Sequence, residues 1–235
     1  MGRMLKQAIE FFNKEPLLRV QGLFSINRGT AEVKAVCDDG VLMYETKGEI
    51  YMLFAGSEEA VKKLLAKVPD VDILMTDYTP MDDWVKQARG FDMKAPCINV
   101  VYEKKEPIAI STDLRLGALT EDQVDLITPH YHSYDQDTLR LFIREGQLLG
   151  GYLGETLVGF LGWHDEGAMG MLHIFEEHRR KGYAYALEAL QTNLMLSRGE
   201  VPHGQVYVGN DASLALQKKL GFSVEERTCC WFFSQ

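Results

Sequence analysis

The segment His178-Arg179-Arg180-Lys181-Gly182-Tyr183-Ala184 constrains this chain more than any other, because it turns an apolar strand into an amphipathic helix through a cationic corner holding one glycine. Ahead of it, Met169 to Ile174 is a short apolar run closed by Glu176 and Glu177, the pattern of a strand buried on at least one face. Behind it, Leu187, Leu190 and Leu194 recur at helical spacing until Gly199 offers a C-cap. A helix N-terminus leaves N–H groups unpaired and carries partial positive charge, and a residue without Cβ lets the backbone close around an anion. The N–H groups from Arg180 to Ala184, with Arg179, Arg180 and Lys181 adding full charges, read as a cradle for a pyrophosphate.

A second array follows at a fixed order. Gly204 to Val208 reads as a strand, Asn210-Asp211-Ala212-Ser213 opens a helix running through Leu216 to Lys219, and Leu220-Gly221-Phe222 ends it. A final strand pair is expected after Phe222, ending in Trp231-Phe232-Phe233. Upstream, Leu114 to Ala118 is a strand, Thr120 to Gln123 a capping box, and Asp135 to Glu145 a helix with Leu139, Phe142 and Ile143 on one face. Gln147 to Leu153 and Thr156 to Trp163 are two strands joined at Gly154-Glu155, a glycine-first hairpin turn.

Strand, two helices, two strands, strand, phosphate turn, helix, strand, Asn-x-x-Ser, helix and Leu-Gly-Phe together resemble the GNAT acetyltransferase superfamily over residues 114–235. The fold this implies is α/β (α+β), a mixed, mostly antiparallel sheet flanked by helices. Residues 108–235 would be the catalytic domain and residues 1–107 an accessory lobe. Within that lobe, residues 3–14 and 17–27 look helical, and Ala31 to Cys37, Val41 to Glu45 and Ile50 to Ala55 read as strands. Then comes an internal echo: a helix from Ser57 to Lys67, a strand from Val71 to Met75, a helix from Pro80 to Ala88, Gly90-Phe91, and a strand from Pro96 to Glu103. The turn into the first of these, Ala55-Gly56-Ser57-Glu58-Glu59, has no cation and sets two acids where a phosphate would sit, so this copy should not bind CoA. A degenerate lobe ahead of a competent one resembles the glycine N-acyltransferase-like branch and related bacterial two-lobed enzymes.

The resemblance implies transfer of an acyl group from acetyl-CoA, a co-substrate, to the primary amine of a small molecule or peptide, with no metal. It places the pyrophosphate on Arg179, Arg180, Lys181, Gly182, Tyr183 and Ala184, and the pantetheine arm along the edge of Leu172, His173 and Ile174. The Ile174 N–H would face the thioester oxygen as it gains charge, and Asn210, Ser213 and Gln217 match further cofactor-contact positions. Gln217 stands where many relatives carry a tyrosine acid, and an amide cannot give a proton, so Ser213 or water would serve the leaving thiolate. The candidate bases are His173 and, in the turn before its strand, His164 and Glu166. Each has a plainer reading: His173 as a core or cofactor-packing histidine, and Glu166 as a solvated acid in an Asp-Glu-Gly turn. The cluster His130-Tyr131-His132-Ser133-Tyr134 is placed at the mouth of the acceptor site rather than read as a metal site, and Trp163 is read as core. Two rival readings stay open: a CoA-binding sensor whose catalysis has lapsed, and transfer of a longer or aromatic acyl group.

The balance of 25 Lys+Arg against 34 Asp+Glu argues against a nucleic-acid partner. No apolar run approaches the ~20 residues that cross a bilayer, and the N-terminus lacks a signal-peptide core. Met1-Gly2 fails as a myristoylation signal because Lys6 stands where that motif wants Ser or Thr. A cytoplasmic protein, monomer or homodimer, without membrane or nucleic-acid partner, is the expectation. The four cysteines lack disulfide density or metal spacing; Cys37 and Cys97 read as core thiols and Cys229-Cys230 as opposite faces of one strand.

Overall fold

A computed structural model describes residues 2–131 and 134–234. In chain order these form α1 (Arg3–Phe12), α2 (Val20–Arg28), β1 (Ala31–Cys37), β2 (Gly40–Glu45), β3 (Ile50–Ala55), α3 (Glu58–Leu65), β4 (Ile73–Thr76), α4 (Asp82–Arg89) and β5 (Met93–Val101). Then come β6 (Leu114–Ala118), α5 (Val124–Ile127), α6 (Gln136–Arg144), β7 (Leu148–Leu153), β8 (Thr156–Trp163), β9 (Met169–Ile174), α7 (Tyr183–Ser197), β10 (His203–Tyr207), α8 (Asp211–Leu220) and β11 (Ser223–Phe233). The α/β class and the mostly antiparallel pairing agree with the sequence expectation. None of the described helices is long and apolar enough to cross a membrane.

The chain divides into two compact units, one of Met1–Val101, Asp165–Gly167 and His203–Gln235, the other of Tyr102–His164 and Ala168–Pro202. The division expected at residue 107 therefore does not coincide with the compact units, since the C-terminal segment packs with the N-terminal one. The reason is a reciprocal exchange of strands. In the first unit the order is β1-β2-β3-β4-β11-β5-β10, so β11 lies between β4 and β5 while β5 lies between β11 and β10. The echo of the sequence, β4-α4-β5 and β10-α8-β11, is thus a pair of repeats in which each inserts its last strand into the other.

β5 carries the register for both neighbours, pairing Cys97 with Cys229 on one side and with Tyr207 on the other. The strand pair expected after Phe222 is a single strand, whose register with β5 shifts between Val224 and Thr228. Both ends of β11 hydrogen-bond to one partner, so the irregularity is absorbed as a bulge rather than a hairpin. Side-chain alternation along β11 sends Cys229 and Trp231 into a core with Phe12, Phe54 and Met75, and Cys230 and Phe232 into another with Leu64, Leu74 and Phe91. The cysteines are free, with Cys97 buried and Cys37 half-buried.

The second unit orders its strands β9-β8-β7-β6, each antiparallel to the next. Val124, Ile127, Leu139 and Phe142 from α5 and α6 pack with Phe160 and Met171, while Ala186 and Leu187 of α7 pack with Leu114, Val158, Leu161 and Ile174. Gly151 sets the depth of α7, because a Cβ there would meet the Leu187 side chain at 2.5 Å. The capping box forms, with Gln123 Oε1 accepting from the Thr120 N–H at 2.9 Å, but it opens a 3-10 turn that leads into a one-turn helix.

Candidate functional site

The turn between β9 and α7 sets three cations beside a helix N-terminus. After a 3-10 turn at Glu176–His178, Arg180 and Gly182 take the left-handed conformation, with φ of 63° and 82°. The helical ladder begins with the Ala186 N–H donating to the Gly182 carbonyl at 3.1 Å, so the amides of Gly182, Tyr183 and Ala184 have no helical carbonyl one turn back. A Cβ at Gly182 would meet nothing within 4 Å, which leaves open space before those amides. Arg179 Nε donates to the Ile174 carbonyl at 3.0 Å and Lys181 Nζ to the Glu177 carbonyl at 2.9 Å, fixing two of the three cations beside the turn. Beside it lies a cleft of about 480 Å³, lined by Ser111, Thr112, Asp113 and Leu153 together with residues 181–183.

The equivalent turn in the first unit is closed. Three of its amides are spent internally: Ala55 N–H donates to Asp77 Oδ1 at 2.7 Å, Gly56 N–H to the Asp39 carbonyl at 2.9 Å, and Ala60 N–H to Ser57 Oγ at 3.3 Å. β3 and β4 are zipped in parallel, pairing Met52 with Met75 and Leu53 with Thr76. Arg19, itself 2% exposed, seals the end by donating from Nε to Asp77 Oδ2 at 2.9 Å. Burial pushes the Asp77 carboxyl up to about 6 against the pull of Arg19. A turn that spends the Ala55, Gly56 and Ala60 donors internally, and whose first helical residues are Glu58 and Glu59, is ill suited to an anion.

β9, which leads into the open turn, is bent. Phe160 pairs with His173 and Gly162 with Gly170, so Leu161 of β8 faces both Met171 and Leu172, and Met171 adopts φ 58°. Gly159 on β8 lies so close that a Cβ would run into the His173 carbonyl. His173 itself is half-buried, its ring stacked with Phe160 at 5.4 Å and with His130 at 4.4 Å between centroids. Burial lowers its pKa below the ordinary histidine value, with the His130 and Arg179 charges acting in the same direction. Its Nε2 is buried and has no hydrogen-bond partner among the described residues. The ring combines the plainer reading and the chemical one: it is packed among aromatics, yet neutral and with an unspent nitrogen.

The other candidates are distributed. Leu172, His173, Ile174 and Arg179 to Ala184 are contiguous in the second unit, whereas Glu166, Asn210, Ser213 and Gln217 belong to the first. Asn210 caps α8, its Oδ1 accepting from the Ser213 N–H at 3.1 Å; Ser213 is half-buried and Gln217 buried. The reading of Glu166 as a solvated turn acid is wrong. It is 5% exposed, and burial pushes its carboxyl up to about 8, with Asp165 and Glu45 reinforcing. The turn is drawn inward because Arg28 Nη1 donates to the Asp165 carbonyl at 2.8 Å and Gly167 packs against the Phe24 ring. His164 is held by Tyr134, the hydroxyl lying 3.0 Å from Nδ1, and its ring covers Gly170. Trp163 is buried, as expected. Of the 130–134 cluster, His132 and Ser133 lie outside the described residues. The stacking of His130 on His173 escaped the sequence reading; its only signal was that both are aromatic in a chain with 6 histidines.

Residues 149–232 match the family model described as FR47-like protein. No curated protein matches the sequence. Among solved structures, a GNAT-family acetyltransferase (titled putative) from Novosphingobium aromaticivorans is similar with TM-score 0.56 and 17% identity, covering 92% of this chain and 96% of that one. A GCN5-related N-acetyltransferase-like protein from Streptococcus suis gives 0.57 and 14%, covering 99% of each chain. A Drosophila protein gives 0.62 and 13%, covering 83% of this chain and 74% of its own. The fold, then, is the one shared by these solved structures of GNAT-family proteins. The segment that carries the anion turn, the bent strand and the Asn-x-x-Ser helix falls within the FR47-like match.

Proposed function

We propose that the protein is an acetyl-CoA-dependent N-acetyltransferase that moves an acetyl group to a primary amine by direct attack on the thioester. The observation that carries this reading is the contrast between the two turns: amides at residues 180–184 ahead of the helical ladder beside three cations, against a turn that spends its Ala55, Gly56 and Ala60 donors internally and opens on Glu58 and Glu59. The residues fit the group. Amides of the α7 entry with Arg179, Arg180 and Lys181 would hold the pyrophosphate and Leu172 to Ile174 would align the pantetheine; Asn210, Ser213 and Gln217 of α8 are assigned to the cofactor by the resemblance alone. CoA supplies an activated acyl thioester whose thiolate leaves near its pKa of about 8.5. Ser213 carries the one hydroxyl proton among these α8 residues, since Gln217 has none to give.

An attacking ammonium must first lose a proton, and a base in reach contributes ~100-fold or more. His173 suits that task, because its lowered pKa keeps the ring neutral at physiological pH. Glu166, with a carboxyl at about 8, is mostly protonated there and is the weaker base candidate at neutral pH.

The test is CoA binding by calorimetry to Gly182→Asp, which places a side chain in a left-handed position and a negative charge before the amides. Affinity should fall tenfold or more with the fold retained by circular dichroism. Unchanged affinity removes the basis for the reading. Turnover with a panel of amines then separates an enzyme from a protein that only binds CoA.

A further inference from the structure

Two rings stack on His173. Phe160, its register partner on β8, lies at 18° to its plane and His130 at 20°, with Phe175 meeting the edge of the ring. Phe160 is fully buried and belongs to the packed interior. His130 does not: it is exposed, at the end of a 3-10 turn of Thr128–His130 that Thr128 Oγ1 ties to the Val124 carbonyl at 2.9 Å. An exposed residue held at 4.4 Å over a half-buried imidazole is not needed to fill the core. It is, however, the exposed one of the two rings stacked on His173.

We propose that His130 is a positioning residue for His173, fixing its ring plane by stacking and, when it takes a proton itself, discouraging one on its neighbour. The inference deepens the proposed function, resting on His173 as proton acceptor, and assigns a role to a residue outside the cofactor turn. Two stacked imidazoliums would set like charges face to face with little water between, so the more buried ring gives up its proton first. The charged and titratable groups around His173 agree. Phe160, Leu172, Ile174 and Phe175 bring none, Arg179 and His130 both oppose a proton, and Tyr134 is engaged with His164.

The experiment is ring-nitrogen NMR titration of His173 in the full chain with two variants. His130→Phe keeps an aromatic clamp without charge, and His130→Lys keeps a charge without the clamp. The His173 midpoint should rise by about one pH unit in His130→Phe and stay low or fall further in His130→Lys, whose His173 ring signal should broaden as the plane is freed. An unmoved midpoint in His130→Phe overturns the proposal. The NMR readout does not depend on turnover: a shifted midpoint with an unshifted acid limb of kcat/KM would uphold the clamp and dismiss His173 as the base. Coincident shifts uphold both.

Discussion

Replacing Glu166 with Gln should remove a pH dependence of folding that the buried carboxyl imposes. Glu166 is 5% exposed, and burial moves its carboxyl from 4.5 up to about 8, while Asp165 and Glu45 add repulsion and Arg28 opposes it weakly. The folded state therefore binds a proton that the unfolded chain has released, over the window from about 4.5 to about 8. The stabilisation is complete below that window, is lost as pH rises through it, and levels off above. At about 1.4 kcal/mol per unit of pH, less the partial titration near the upper end, the loss between pH 6 and pH 8 is about 2 kcal/mol. Urea unfolding of wild type and Glu166→Gln at pH 6, 7 and 8 measures it. The two stability curves should separate by about that amount over this interval, with the variant the flatter. Asp77 and Asp82, both pushed up to about 6 by burial, are present in both chains and cancel in the difference. Parallel curves would refute the argument, because they would mean that the Glu166 carboxyl is solvated in the folded protein.

The closed first-unit turn should give a CoA stoichiometry of one per chain by calorimetry, and two equivalent sites would contradict the spent amides at Ala55, Gly56 and Ala60. His173→Gln should lower kcat at neutral pH by about 100-fold with little change in CoA affinity. The wild-type acid limb should have its midpoint below the ordinary histidine value, in line with the lowered His173 pKa, and should vanish in the variant. A retained acid limb would move the base elsewhere.

What sequence alone determined here is whatever depends on neighbours a few residues away. Met169–Ile174, Ala31–Cys37 and Ile50–Ala55 are strands over the expected residues, Asn210 and Asp135 cap their helices, and Gly182 and Gly221 take positive φ at helix ends. Alternation, capping and glycine's steric freedom act within one or two turns, so they are written locally. The order of those elements also carried the superfamily resemblance and the cationic turn. What only tertiary structure decided are the features made by distant partners. The insertion of β11 between β4 and β5 joins residues more than a hundred apart, and no local pattern distinguishes it from a terminal hairpin. Glu166 is buried because Arg28 and Phe24, far earlier in the chain, pull its turn inward against the preference of an Asp-Glu-Gly sequence for water. The His130 clamp and the bend at Met171 likewise arise when strands and turns meet, and they set the plane and charge of the one ring on which the proposed proton transfer depends. A residue's type is local, but its solvation is fixed by whatever the fold brings against it, and proton chemistry follows solvation.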